Sequence, residues 1–299
     1  MNFINPKTDY AFKKIFGSSE SKSILKSFLN ALIYEGRPTI QDLEIINPNL
    51  PPKVEGLKDS YLDVKAFLDN GTIVIIAMQV LNVQSFSKRV LFNAAKTYAF
   101  QLQAGEGYRM LKPVIALTIT DFEMFPNSPM VISRFVYKEE TTNLTYKEND
   151  IKLIFVELPK FQLELPQLES LTDKWIYFMK YARTLQEVPE TMDVIPEIHQ
   201  AFTIANQVNL TPEELEDIER REMFIYDQQG AIALGREEGL QQGREEGLQQ
   251  GREQGREEGM QAKAIAIAQQ LLSQLDDEAI CQITELSLEE VRSLRNQNL

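Results

Sequence analysis

Leu62-Asp63-Val64, then Asp69-Asn70-Gly71, then Ile75-Ile76-Ala77-Met78-Gln79-Val80 is the stretch on which the fold turns. Residues 61–68 and 72–80 are two apolar-rich segments around an Asn-Gly pair, a strong hairpin signal. A two-residue turn at Asn70-Gly71 would pair 69 with 72 and 63 with 78, setting Asp63 and residue 77 on opposite faces. A three-residue loop with Gly71 left-handed in a bulge pairs 68 with 72 and 63 with 77. This second register puts Asp63, Ala77 and Gln79 on one face. Leu62, Val64, Ala66, Val74, Ile76 and Met78 share the other, an apolar layer that keeps a carboxylate out. Opposed β-carbons lie about 5 Å apart, so carboxylates at 63 and 77 could share one divalent cation. Position 77 carries alanine.

Outward from the hairpin, residues 8–34 read as a helix, with Thr8 or Asp9 as cap and Phe12, Ile15, Phe16, Ile24, Leu25 and Phe28 on a helical period. Residues 35–60 hold Gly36, Pro38, Pro48, Pro51, Pro52 and Gly56 and read as loop with a short strand at 43–46. A helix over 82–104 precedes strands at 112–120, 131–137 and 152–157. Helix, hairpin, helix and strands in that order give an α/β domain over roughly 1–160. The remainder is helical: 171–185, 195–205, and a helix opened by Thr211-Pro212-Glu213-Glu214. The expected divisions are 1–160, a helical subdomain over 161–234, a repeat over 235–275 and a small helical tail over 276–299.

A chain of 299 residues buries one sizeable core plus an appendage. The lone Cys281 excludes a disulfide framework and any multi-cysteine metal site. The lone His199 excludes histidine-rich zinc sites and argues against a Ser-His-Asp triad. No apolar run approaches the roughly 18 residues needed to span a membrane. The first residues lack the charged-then-apolar pattern of a signal peptide, so a cytoplasmic protein with no membrane partner is expected. The net charge of −13 argues against a simple nucleic-acid coat, but it is unevenly spread. Lys7, Lys13, Lys14, Lys22 and Lys26 outnumber Asp9 and Glu20 at the start of the chain. Local charge decides where an anionic backbone docks.

Asp63 followed by the strand-end Ala77-Met78-Gln79 resembles the core of PD-(D/E)XK nucleases. Longer blocks narrow the resemblance: Pro6-Lys7-Thr8-Asp9-Tyr10-Ala11-Phe12-Lys13-Lys14-Ile15-Phe16-Gly17; Lys88-Arg89-Val90-Leu91-Phe92-Asn93-Ala94-Ala95-Lys96; Gln101-Leu102 with Gly105-Glu106-Gly107-Tyr108; and Pro113-Val114-Ile115 leading to Asp121-Phe122. These resemble the Rpn family of recombination-promoting nucleases and transposases over roughly 1–160. The resemblance implies a restriction-endonuclease-like core, a mixed sheet flanked by helices, with a C-terminal helical extension. It also implies Mg²⁺-dependent hydrolysis of DNA phosphodiester bonds. Carried over by position, Asp63 is a metal ligand, Met78 offers its carbonyl, and Gln79 stands where a lysine or glutamine orients the attacking water. Position 77 should be glutamate and is Ala77.

Three explanations for Ala77 stay open: a deliberate inactivating substitution, a natural pseudo-enzyme, or a ligand relocated to Asp69 or Glu106. In each, Asp63 with one carbonyl is a poor Mg²⁺ site. Asp9 and Gln101 are further candidates for the catalytic cleft, against ordinary roles as helix cap and solvated side chain. Lys13, Lys14, Lys88, Arg89 and Lys96 are candidates for DNA phosphate contact. The leading expectation is a DNA endonuclease of this type, inactive as written. The alternative is a catalytically dead DNA-binding or assembly protein.

Gly235-Arg236-Glu237-Glu238-Gly239-Leu240-Gln241-Gln242 recurs at 243–250, and glycine falls every fourth residue from 235 to 259. In a helix this makes a slowly wrapping small-residue stripe, expected to support a homodimer or higher even oligomer. The competing reading is a flexible linker, since each glycine costs about 1 kcal/mol against alanine in a helix.

Overall fold

Residues 2–50, 60–148 and 150–297 are described by the computed structural model. The chain opens with helices α1 (Asp9–Phe16) and α2 (Lys22–Tyr34), then strand β1 (Leu43–Ile46) and a short antiparallel pair, β2 (Asn49–Leu50) with β3 (Ser60–Tyr61). The hairpin follows as β4 (Val64–Leu68) and β5 (Ile73–Gln79). Helix α3 (Phe86–Ala99) leads to β6 (Val114–Thr120), and β7 (Ile132–Phe135) and β8 (Ile151–Glu157) complete the strands. Helices α4 (Leu171–Tyr181), α5 (Glu190–Asp193), α6 (Pro196–Ala205), α7 (Pro212–Leu271), α8 (Asp277–Thr284) and α9 (Leu288–Gln297) follow. Pro51, Pro52 and Gly56 lie outside the described residues.

Six strands form one mixed sheet in the order β1-β4-β5-β6-β8-β7. β5, β6 and β8 run parallel, while β1, β4 and β7 pair antiparallel with their neighbours. The hairpin register is the three-residue one from Val64 onward: Val64 faces Ile76 and Ala66 faces Val74, and the ladder ends there, the Asp63 N–H donating to the Ile76 carbonyl in place of the expected pairing of 63 with 77. Gly71 has φ +85° and donates its N–H to the Leu68 carbonyl, and Leu68 donates to Thr72. The left-handed backbone is what fixes glycine there. Gly71→Ala is therefore expected to cost about 1 kcal/mol, a drop of about 2–4 °C in melting temperature, read by thermal denaturation.

Both faces of the sheet are covered. On one, Val64, Ala66, Val74, Ile76, Leu117 and Val156 pack with side chains of α1, α2, α4 and α6, including Phe12, Phe16, Phe28, Trp175, Phe178 and Phe202. On the other, Ile73, Ile75, Val114 and Ala116 pack under Phe86, Val90 and Ala94 of α3. Leu62 belongs to this second layer, not to the first as the alternation implied. The chain bends at Asp63, and β4 begins only at Val64, so the period-two pattern does not extend back to Leu62.

The single helix expected over 8–34 is broken at Gly17-Ser18. Gly17 caps α1 through its N–H to the Lys13 carbonyl, and a β-carbon there would meet that carbonyl at 2.8 Å and Val64 at 3.3 Å. Close backbone approach, not helix propensity, sets this break. Residues 161–229 share the core of the sheet: Phe161, Trp175, Phe178, Phe202 and Ile218 sit in the same apolar cluster as the strands. Residues 1–229 form one compact unit and 230–299 a second.

The unit boundary falls inside α7, a helix of 60 residues. Thr211 and Glu214 cap its start reciprocally. The glycine repeat is therefore helical, and a β-carbon at any of its glycines would meet nothing within 4 Å. In the second unit Ala268, Ile280, Leu286 and Val291 bury a small three-helix cluster formed by the end of α7 with α8 and α9.

Candidate active site

The site is built where β4 and β5 start to part. Asp63 lies just before β4, in the bend that lets its carboxylate turn towards β5. Its Oδ2 accepts the main-chain N–H of Met78 at 2.7 Å. Lys13 of α1 brings Nζ to 3.8 Å from Oδ1. The side chain keeps only 15% of its exposure. Burial pushes the Asp63 carboxyl above the usual range, and the nearby Asp9 adds to that; the Met78 N–H, Lys13 and Arg89 pull the other way. A carboxylate that has lost its water is a group that gains from a nearby cation.

Ala77 of β5 lines the same cavity as Asp63, half-buried, and Gln79 lies two residues further on the same face. Met78 turns its side chain into the core while its N–H holds Asp63. A cavity of about 190 Å³ opens at this point, lined among others by Asp63, Ala77, Gln79, Arg89, Asn93 and Thr118. The methyl of Ala77 leaves space on this wall that a longer side chain could occupy. Gln79 has both ends of its amide engaged: Nε2 donates to the Leu81 carbonyl at 2.6 Å, and Oε1 accepts from Arg89. The Arg89 guanidinium also lies over the Phe86 ring, 5.3 Å from its centre. Arg89 thus brings to Gln79 the positive charge that glutamine lacks.

A second hollow of about 510 Å³ continues from Met78 and Gln79. Its walls include Lys7, Asp9, Arg220 and Arg221. Lys7 pairs with Asp121 at 2.8 Å just past the end of β6. Arg221 grips both oxygens of Asp9 at 2.7 Å. Helix α7 is further fixed to α1 by Glu214, which accepts from Tyr10 at 2.7 Å and from Lys14. The Lys14 contact, the Thr211 N–H and Tyr10 hold the Glu214 carboxyl at about 2, and burial against Glu214 pushes the Tyr10 hydroxyl to about 12. A carboxyl lowered in the folded state stabilises above its ordinary range, and that contribution is lost as pH falls toward 2. Glu214→Gln is therefore expected to lower the melting temperature by about 2–4 °C at pH 7, with the gap closing between pH 4.5 and pH 2. Calorimetric melts of both proteins across that range check it.

Asp63, Ala77, Met78, Gln79 and Arg89 of the sequence-expected set converge on one cavity, with Lys13 beside Asp63. The others lie outside that cavity, Asp9 in the wall of the adjoining hollow. Asp9 is engaged by Arg221, and Thr8, not Asp9, caps α1. Gln101 binds the Lys112 main chain through both amide atoms, at 2.9 and 2.8 Å, and serves as a strap between the end of α3 and β6. Lys14 is committed to Glu214. Lys96 is 5% exposed, with its ammonium 5.9 Å from the centre of the Phe92 ring, so it is closed to phosphate. Lys88 is exposed on α3. The relocation candidates are also occupied: Asp69 caps the Gln41 N–H at the hairpin turn, and Glu106 accepts from Gln103. Among the described residues no three His, Cys, Asp or Glu side chains gather as a metal cluster.

Sequence reasoning passed over Asn93 and the α7 residues. Asn93 was findable, because it falls on the buried stripe of α3 set by Phe86, Val90 and Ala94, where a polar residue is out of place. Arg221 and Glu214 gave no local signal, since their partners lie about 200 residues away.

A family described as PD-(D/E)XK nuclease family transposase matches residues 6–235. No curated protein and no solved structure matches the chain. Among the described residues no helix is long and apolar enough to cross a membrane.

Proposed function

The chain belongs to the PD-(D/E)XK nuclease family transposases, and from that premise we propose a DNA-binding nuclease domain whose Mg²⁺ site lacks one carboxylate and cleaves poorly as written. The observation that carries this reading is the buried Asp63 carboxylate held by the Met78 N–H, with Ala77 in the wall of the same cavity. The second reading, a protein that binds DNA or assembles without cutting it, keeps the same cleft and differs only in what position 77 was selected to do.

The residues present fit a divalent cation in a reduced way. Asp63 supplies one carboxylate, and the cavity beside it holds a buried amide oxygen of Asn93 that has no partner. One carboxylate with neutral oxygens and waters suits a hydrated, weakly held Mg²⁺. Bound there, Mg²⁺ supplies Lewis-acid stabilisation of phosphoryl charge and a more acidic water. The chain's own groups do the rest. Met78 N–H fixes the Asp63 carboxylate, and Gln79, held by Leu81 and Arg89, presents a neutral amide at the cavity wall. Arg89, Lys13 and Lys88 offer charge to a DNA backbone at the mouth. Plasmid nicking with and without Mg²⁺, comparing this chain with Ala77→Glu, tests the reading.

We further propose that α7 builds a homodimer. Leu240, Leu248 and Met260 are exposed along it between glycines that leave room for another backbone. A helix this rich in glycine is weakly stable alone, and burial against a second copy would offset that. Two nuclease sites related by a two-fold axis would match the two strands of a duplex. Truncation after Asp227 is expected to lower the subunit number while leaving the melting transition of the sheet unit in place. Light scattering that finds equal subunit numbers for both proteins would remove the repeat from the interface.

A further inference from the structure

We infer that Asn93 supplies, through Oδ1, the second protein oxygen of the cation site headed by Asp63, standing in for the carboxylate absent at position 77; this rests on the reading of Asp63 given above. Asn93 is 7% exposed on the inner stripe of α3. Among the described residues its Oδ1 is the one buried side-chain polar atom with no hydrogen-bond partner. A buried polar atom left without a partner is destabilising, so a position that keeps one calls for a ligand.

The ligand's place follows from what surrounds the atom. Asn93 and Asp63 line the same small cavity, one from α3 and one from the sheet, with Ala77 leaving space in the wall. Gln79 already accepts from Arg89 through its amide oxygen and donates to the Leu81 carbonyl through its nitrogen, whereas the Asn93 amide oxygen has no partner. Asn93 Oδ1 is thus the neutral oxygen left available beside a desolvated carboxylate. An amide oxygen, a carboxylate and water molecules form the donor set of a hard divalent cation. An amide oxygen lacks charge, which accounts for weak binding, and it keeps the cavity from carrying two adjacent carboxylates when no cation is present.

Mn²⁺ titration of the full chain without DNA, followed calorimetrically and by the electron-spin signal of free Mn²⁺, tests this. The chain, Asp63→Asn, Asn93→Leu and Asn93→Asp are compared, with melting curves run on each to verify folding. The chain is expected to bind one Mn²⁺ weakly, and Asp63→Asn to lose it. Asn93→Leu should weaken binding by about tenfold or more, and Asn93→Asp should tighten it by a similar factor. Tightening by the near-isosteric aspartate is a result that a mere packing role would not produce. If Asn93→Leu and Asn93→Asp bind as the chain does while Asp63→Asn does not, Asn93 is idle, its oxygen is served by an internal water, and the reading of Asp63 stands. If Asp63→Asn binds as the chain does, or the chain binds nothing, the Asp63 reading fails and the inference falls with it.

Discussion

Ala77→Glu is expected to raise Mg²⁺-dependent plasmid nicking by on the order of a thousandfold, the largest effect any single substitution in this chain should have. The physical reason is local. Position 77 lines the same cavity of about 190 Å³ as Asp63, whose carboxylate is held by the N–H of the next residue, Met78. A second carboxylate there raises affinity for a divalent cation and fixes its position against the scissile phosphate. Asp63→Ala added to that variant should return nicking to background. DNA affinity should move the other way: without metal, Ala77→Glu should bind DNA less tightly than the chain as it stands, because it sets a carboxylate facing phosphate. Equal nicking by the two proteins at position 77, with both folded, would sink the assignment of the site.

Glu157→Ala is expected to destabilise the sheet unit by about 3–5 kcal/mol. Glu157 ends β8 with its side chain fully buried, and Lys160 beside it keeps 7% of its exposure. One carboxylate oxygen accepts the N–H groups of Met124 and Phe125 at 2.6 and 3.0 Å, and the other accepts from Lys160 at 2.8 Å. Removing it strands a buried ammonium, which keeps only the Phe125 carbonyl, and orphans two main-chain donors. Glu157→Gln retains the shape and acceptors for the N–H groups, and should cost less. Urea denaturation of both variants against the chain gives the difference. The segment that would loosen begins at Asp121, the partner of Lys7, so the loss should also appear as faster amide exchange at the rim of the second hollow.

What could be read from the sequence was local. Asn70-Gly71 and the alternation around it gave the register, because a left-handed glycine and a buried apolar face permit one pairing. The strand at 112–120 was legible from the apolar run that starts at Val114, broken only by Thr118 and Thr120, and Val114–Thr120 is buried throughout. The register holds only from Val64; that Asp63 would instead bond to Ile76 was not legible in the alternation. The misjudged residues depended on distant partners. Glycine stands at the break after the first helix because a β-carbon there would meet the Lys13 carbonyl at 2.8 Å and Val64 of the hairpin at 3.3 Å. Gln101 looked like a cleft residue until the main chain at Lys112 took both its amide atoms. Lys96 is long enough to run along Phe92 and stay buried, which charge alone does not reveal.

The bond from Met78 N–H to Asp63 has a consequence for descent. A main-chain amide belongs to every residue except proline, so drift at position 78 leaves the orientation of Asp63 untouched as long as an apolar side chain fills the core. The orientation of Asp63 is thereby sheltered from the mutations that would erode a side-chain contact. Alanine and glutamate are separated by a single base in part of the genetic code. On the reading proposed above, one codon separates this chain from a site with two carboxylates.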